Sequence, residues 1–195
     1  AESGNRSQVV IASEEARRYG ICSGMPLAEA QALVESAVFL PQDIEAHLQA
    51  LRSLAALCYL YSPFVGLELS NDSHCLVLDI SGCGPLFGDE SSLARRLVVD
   101  LAERGYFAHI AVANTIGAAW AIARYGHGTG SDRRLRSLPV EALRVPDKLV
   151  SRLREFDLRT IGQLAALPKE SLPSRFGSAL TERLDQIYGR CDELI

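Results

Sequence analysis

Apolar residues return along the chain with two spacings, one near the helical 3.6 and one of two, and their alternation lays out the elements. In 43–60, Ile44, Leu48, Leu51, Ala55 and Cys58 fall on one helical face, behind a cap at Asp43 and ahead of the break at Pro63, which predicts a core-facing helix. In CLVLDIS (75–81), Leu76, Leu78 and Ile80 alternate with Cys75, Val77 and Asp79, the pattern of a strand with one buried face; Gly82, Gly84 and Pro85 follow as turn signals. Residues 90–104 predict a helix with Leu93, Leu97 and Leu101 in line, opened by Asp89 and closed by Gly105. FAHIAVA (107–113) predicts a second strand, and 115–125 a further helix. Strand, helix, strand, helix is the succession of an α/β sheet covered by helices on one side.

The pattern then changes. GHGTGSD (126–132) is a Gly-rich stretch with no periodicity, and it predicts a connector. Its glycines Gly126, Gly128 and Gly130 lack the GK[ST] and the preceding apolar strand of a phosphate cradle. Beyond it the chain predicts short helices only: Leu149, Leu153 and Phe156 share a face, Thr160 caps a helix running to Leu167, Pro168 and Pro173 punctuate, and Leu180, Leu184 and Ile187 line a last helix ended by Gly189. Nothing repeats at a fixed period, which excludes a solenoid.

Composition narrows the class of protein. With 195 residues, 48% apolar and 23% charged, the chain suits one medium or two small packed domains and excludes a disordered or collagen-like polymer. No apolar run approaches the roughly 18 residues of a membrane helix, and the opening AESGNRSQVV lacks both Met and a signal-peptide pattern, so the expectation is a soluble fragment of a cytoplasmic protein. Five cysteines, without a CxxC, fit reduced thiols. His74, Cys75 and Cys83 match no zinc spacing, and no metal site is expected. The net charge of −4 argues against sequence-independent nucleic-acid binding by the whole surface. The charge is uneven, however: residues 1–125 carry 8 Lys and Arg against 14 Asp and Glu, and residues 126–195 carry 12 against 10, so phosphate contacts are expected in the second part.

One turn there has a mechanism of its own. Leu158-Arg159-Thr160-Ile161-Gly162 places a glycine at a helix start, where exposed backbone N–H groups can hold a DNA phosphate without reading sequence, with Arg152, Arg159 and Arg175 adding charge. The plainer reading of the same turn is helix packing.

Four segments in order carry a family resemblance: ASEEARRYGICSGMPLAEAQAL (12–33), SPFVGLELSNDSHCLVLDISG (62–82), the second strand with its helix, and FDLRTIGQLAALPKESLPSRFG (156–177). They resemble the fingers motif YEARKYGVxSGMP, the palm strand SIDEAFLDVTG and the thumb of the Y-family translesion DNA polymerases. The resemblance implies an α/β palm and fingers with an all-helical thumb containing a helix-hairpin-helix: fingers in 1–40, palm in 41–126, a linker in 127–134 and thumb in 135–195. A first palm strand and a little finger, which such polymerases also have, are not in this chain.

Phosphoryl transfer needs carboxylates that hold two Mg2+. Aligned on Asp79, the last Asp of the palm strand, the family's acidic pair falls on His74 and Cys75, neither of them a hard oxygen ligand. A slip of two residues would bring Asp72 and Ser73 to those places, displaced by about 6.6 Å along the strand. The fingers Tyr that touches the triphosphate corresponds to Glu14, with the following Arg kept as Arg17, and the segment that carries two lysines in the family reads Thr115, Ile116, Ala119 and Trp120. Arg17, Asp79 and Trp120 each have an ordinary structural reading too, as a surface ion pair, a strand-end cap and a core residue.

This combination is similar to the ImuB-type branch, whose members have lost the active site, and SGCGPLFGDE (81–90) and AVANTIGAAWAIARYG (111–126) look closest to it. The resemblance implies a non-catalytic adaptor in DNA damage tolerance and induced mutagenesis, needing no cofactor. It would bind primer-template DNA through Arg159, Thr160, Ile161, Gly162 and Arg175, with Arg17 a vestige of phosphate binding. It would bring an error-prone replicative-type polymerase and a small accessory protein to the sliding clamp. Two other classes stand beside it: an active translesion polymerase fragment using Mg2+, and a small nucleotide-binding or regulatory protein.

Overall fold

The computed structural model describes residues 7–69, 74–126 and 132–194. The chain divides into two units, Ala1–Ala50 and Leu51–Ile195. In the smaller, Ser13 opens α1 (Glu14–Arg18) by accepting the Ala16 N–H at 3.1 Å, and α2 (Leu27–Leu33) follows Pro26. The Val9 N–H donates to the Met25 carbonyl at 2.9 Å and the Gly24 N–H to the Val9 carbonyl at 2.8 Å, closing a loop around a small core of Val9, Ala12, Ile21 and Ala30.

Helix α3 (Ile44–Cys58) begins at the predicted cap, with Asp43 accepting the Ala46 N–H at 2.9 Å. Its predicted apolar stripe needs one correction. Ile44 is 59% exposed, whereas Leu54, Leu57 and Cys58 make the contacts, because the apolar partners of this helix lie against its last turns.

Strands β1 (Phe64–Leu69) and β2 (His74–Asp79) pair antiparallel, with Phe64 opposite Asp79, Glu68 opposite Cys75 and Leu69 opposite His74. The buried Ser62 accepts the Phe64 N–H at 3.0 Å and also bonds the Asp79 carbonyl, pinning the start of β1 to the end of β2. Leu76, Leu78 and Ile80 face the core as the alternation predicts, against Tyr61, Cys83, Leu93, Leu97 and Leu101. The short α4 (Gly84–Phe87) puts Phe87 on Tyr61, their rings 5.4 Å apart. Helix α5 (Glu90–Ala102) has the predicted Asp89 cap and buries the predicted Leu93, Leu97 and Leu101.

The second strand expected at 107–113 is not formed. The segment runs without regular structure between α5 and α6 (Ile116–Tyr125), and no described strand lies beside it; a strand exists only as part of a hydrogen-bonded ladder. Its apolar residues are nonetheless used: Ile110 packs on the sheet cluster, and Ala111 and Ala113 on a second, larger cluster.

Of the stretch read as a connector, residues 127–131, with Gly128 and Gly130, lie outside the described residues, and 132–134 are already helical in α7 (Asp132–Ser137). A 3-10 turn (Val140–Leu143) leads to α8 (Asp147–Glu155), α9 (Ile161–Ala165), α10 (Leu172–Phe176) and α11 (Ser178–Ile187). These helices enclose the larger cluster, in which Leu153, Ile161, Leu164 and Leu180 are wholly buried. No helix among the described residues is long and apolar enough to cross a membrane.

Candidate functional site

Two places concentrate polar and charged groups. The first lies where β1 and β2 meet the helices. The Cys75 thiol points at the carboxylate of its cross-strand partner Glu68, with Sγ 3.7 Å from Oε2. Both Glu68 oxygens are held at 3.2 Å by one terminal nitrogen of Arg144, and the other holds both oxygens of Glu193 at 2.6 and 2.8 Å. Arg183 also donates to Glu193, at 3.0 Å. The Arg144 guanidinium lies 5.6 Å from the centre of the Trp120 ring, on α6. Side-chain exposure is 10% for Arg144, 13% for Glu193 and 27% for Glu68, so this is a largely buried network rather than a surface pair.

Local structure delivers these groups. Arg144 ends the 3-10 turn in the left-handed conformation, φ 55° and ψ 39°. Gly117 lets α6 come close: a Cβ there would stand 3.3 Å from the Ile187 Cα and 3.4 Å from the Arg144 Nη2. Thr115 caps α6 and donates its hydroxyl to the Ile187 carbonyl at 3.0 Å. Glu68, Arg144, Arg183 and Glu193 were not singled out from sequence; their partners lie up to 76 residues away, and no local pattern marks them.

The second place is the turn between α8 and α9. Its backbone N–H groups are largely committed to the fold, unlike the open cradle expected from sequence. Gln163 Oε1 accepts from Arg159 N at 2.8 Å and Thr160 N at 2.9 Å, the Ile161 N–H donates to the Leu138 carbonyl at 3.0 Å, and Thr160 Oγ1 accepts the Gln163 N–H in a capping box. Gly162 serves packing: a Cβ there would stand 2.7 Å from the Arg136 carbonyl oxygen. What the turn offers outward is side chains. Arg159 is exposed and pairs with Asp157, Arg175 lies 5.7 Å over the Phe156 ring, and Arg152 lies 5.8 Å over Phe176, whose ring meets Phe156 edge-on.

The other sequence candidates have local partners in the fold. Arg17 is exposed and its Nε donates to the Ala12 carbonyl at 3.0 Å, while Glu14 pairs with Arg18. Asp79 accepts the Ser81 N–H at 2.9 Å; the Ser81 hydroxyl first, then this N–H, lowers its carboxyl pKa, and it sits four residues, about 13 Å, along β2 from Cys75. Asp72 and Ser73, the alternative acid register, lie outside the described residues.

Residues 1–124 match the impB/mucB/samB family. The chain belongs to that family. Within it, the chain is 37% identical over 182 residues to Protein ImuB of Caulobacter vibrioides, covering 90% of this chain and 39% of that protein. It is 28% identical over 183 residues to DNA polymerase IV of Dehalococcoides mccartyi, covering 89% and 46%. The chain thus spans less than half the length of these curated relatives. Its fold is that of the DinB crystal structure from Sulfolobus solfataricus, with TM-score 0.75 at 20% identity over 99% of this chain and 59% of that one. The insertion ternary complex of Dbh DNA polymerase gives TM-score 0.77 at 18% identity, with the same coverage.

The family resemblance places the acidic pair on β2, whose described residues do not fit a magnesium pair. Magnesium takes oxygen ligands in near-octahedral geometry. Here the thiol of Cys75 stands where the resemblance expects the second acid, and the carboxylates of Glu68 beside it and of Glu193 are engaged by Arg144. Among the described residues no group of three or more His, Cys, Asp and Glu is placed to hold a metal.

Burial first, then the charge and hydrogen bond of Glu68, push the Cys75 thiol up to about 11, against the opposing pull of Arg144 and Trp120. At pH 8 the thiolate fraction is then roughly one in a thousand. In iodoacetamide labelling followed by mass spectrometry, Cys75 is expected to react at least about tenfold more slowly than the exposed Cys22. The raised value means the folded state keeps this proton longer than the unfolded state. Its contribution to stability is therefore present below the ordinary 9.0 and declines as pH climbs through about 11. Equal labelling rates for Cys75 and Cys22 would show the site to be open.

Proposed function

We propose that this chain is the DNA-holding core of a non-catalytic damage-tolerance protein, in which 1–40 act as fingers, 41–126 as palm and 135–195 as thumb. The observation that carries the reading is the Cys75 thiol beside Glu68, a carboxylate already committed to Arg144, at the place where the resemblance expects an acid. A nucleotidyl transferase needs free, ionised oxygen ligands at that point. Similarity to Protein ImuB supports the assignment to damage tolerance.

DNA contact falls to the α8–α9 turn and works through side chains. Arg159 and Arg175 bring positive charge to backbone phosphates, and Thr160, Ile161 and Gly162 hold the turn that carries Arg159. In the whole protein the partners are primer-template DNA, the sliding clamp, an error-prone replicative-type polymerase and a small accessory protein, all in the cytoplasm on the nucleoid.

The test uses the full-length protein on a primer-template with Mg2+ or Mn2+. No templated extension is expected, together with DNA binding that weakens as salt rises. Replacing Arg159 and Arg175 together with alanine should weaken binding roughly tenfold on any sequence and flatten the slope of log affinity against log salt by about two. Templated extension that disappears when Asp72 or Asp79 is changed would instead assign an active polymerase. Binding that ignores both salt and the two arginines would remove the DNA role from this turn.

A further inference from the structure

The departures from the polymerase pattern at Cys75 and Trp120 lie far apart in sequence, yet both touch the surroundings of one side chain. Cys75 replaces an acid and bonds Glu68, the carboxylate that Arg144 grips; Trp120 stands in the segment that carries lysines in the family and lies under the same guanidinium. We infer that Arg144 with Glu68 and Glu193 is a resident guanidinium–dicarboxylate centre, which takes the place of the metal–nucleotide centre and braces the β1–β2 pair, α6 and the residues after α11 against one another.

The charges support a closed centre. Two cations, Arg144 and Arg183, face two carboxylates, Glu68 and Glu193, within 3.2 Å, so the network balances with no divalent ion. An added carboxylate at position 75 would upset that balance, whereas a thiol leaves it intact. Under the guanidinium, the flat indole of Trp120 adds a cation–π contact. The backbone points the same way. A left-handed arginine is a strained choice for a turn end that glycine or asparagine would take freely, and such strain persists where the surroundings over-determine the conformation. Four hydrogen bonds and a ring do so here.

The inference rests on the non-catalytic reading for its function, but its test is separate. In the 195-residue chain, which has a single tryptophan, Trp120 fluorescence reports directly on the centre. Arg144→Met removes the cation that grips both carboxylates, leaving Glu68 without its cation and Glu193 with Arg183 alone. The melting temperature is expected to fall by about 10 °C. The triple variant Arg144→Met/Glu68→Gln/Glu193→Gln, which removes the central cation with both carboxylates and leaves only the partly exposed Arg183 charged, is expected to regain at least half of that loss, and a fold-defective single variant would leave this comparison in force. Titration of the unmodified chain with a deoxynucleoside triphosphate and Mn2+ should leave Trp120 emission unchanged.

A melting shift below about 2 °C for Arg144→Met would overturn the brace, as would a triple variant no better than the single one. Saturable quenching of Trp120 by the nucleotide with Mn2+ would overturn the closed centre. Primer extension by the full-length protein, with the melting results as expected, would remove the adaptor reading and leave the brace standing.

Discussion

Leu153→Ala is expected to destabilise the larger unit by about 3–5 kcal/mol, the range for truncating a fully enclosed leucine whose surroundings do not collapse into the space. Leu153 has no exposed surface and sits on α8 in the same cluster as Leu143, Leu164, Phe176 and Leu180, residues from the 3-10 turn and from α9, α10 and α11. A cavity lined from that many separate elements closes only if several of them move together, and close-packed interiors resist such movement. Urea denaturation reads the effect as a lower midpoint with an unchanged slope. A loss under about 1 kcal/mol would mean that the helices close over the gap and that the cluster is loosely packed.

Gly162→Ala should also destabilise, by about 1–3 kcal/mol net, although alanine is the better helix former by about 1 kcal/mol. The added Cβ would meet the Arg136 carbonyl oxygen at 2.7 Å and the Arg136 Cβ at 3.1 Å. Neither α9 nor α7 is free to retreat, because the Ile161 N–H is bonded to the Leu138 carbonyl and the Val140 N–H to the Arg159 carbonyl, both at 3.0 Å. The backbone on each side of the contact is therefore pinned. A thermal melt decides the sign: a rise in midpoint would show that propensity outweighs contact and that the two helices are not held at this distance. Since Arg159 stands on the same pinned segment, any displacement that relieves the clash should also move the arginine proposed to meet DNA.

Much of the fold was legible wherever the determining signals are local. Asp89, the leucines at 93, 97 and 101, and Gly105 define α5 almost residue by residue, because a cap, a spacing and a left-handed stop all lie within one helix. Thr115 and Thr160 mark their helices for the same reason. The expected strand at 107–113 failed because apolar alternation states a preference, whereas a ladder needs a neighbour supplied by another part of the chain. Strand β1 was readable and was missed: FVGLEL before a polar SNDS and a second apolar run is a hairpin pattern.

The site divides in the same way. Cys75 could be identified by alignment on Asp79, but its meaning came from Glu68 across the strand and Arg144 beyond it, pairings that exist only once the chain has folded. At the α8–α9 turn, residue types suggested free backbone donors. The Gln163 side chain takes two of them, and the bridge to Leu138 takes a third.

The segment between α5 and α6 fails as a strand but has a mechanical consequence. Ile110 is anchored in one apolar cluster and Ala111, the very next residue, in the other. A single peptide bond thus separates residues packed in the two cores of the larger unit, so a shift of either core passes directly to the segment that anchors the other.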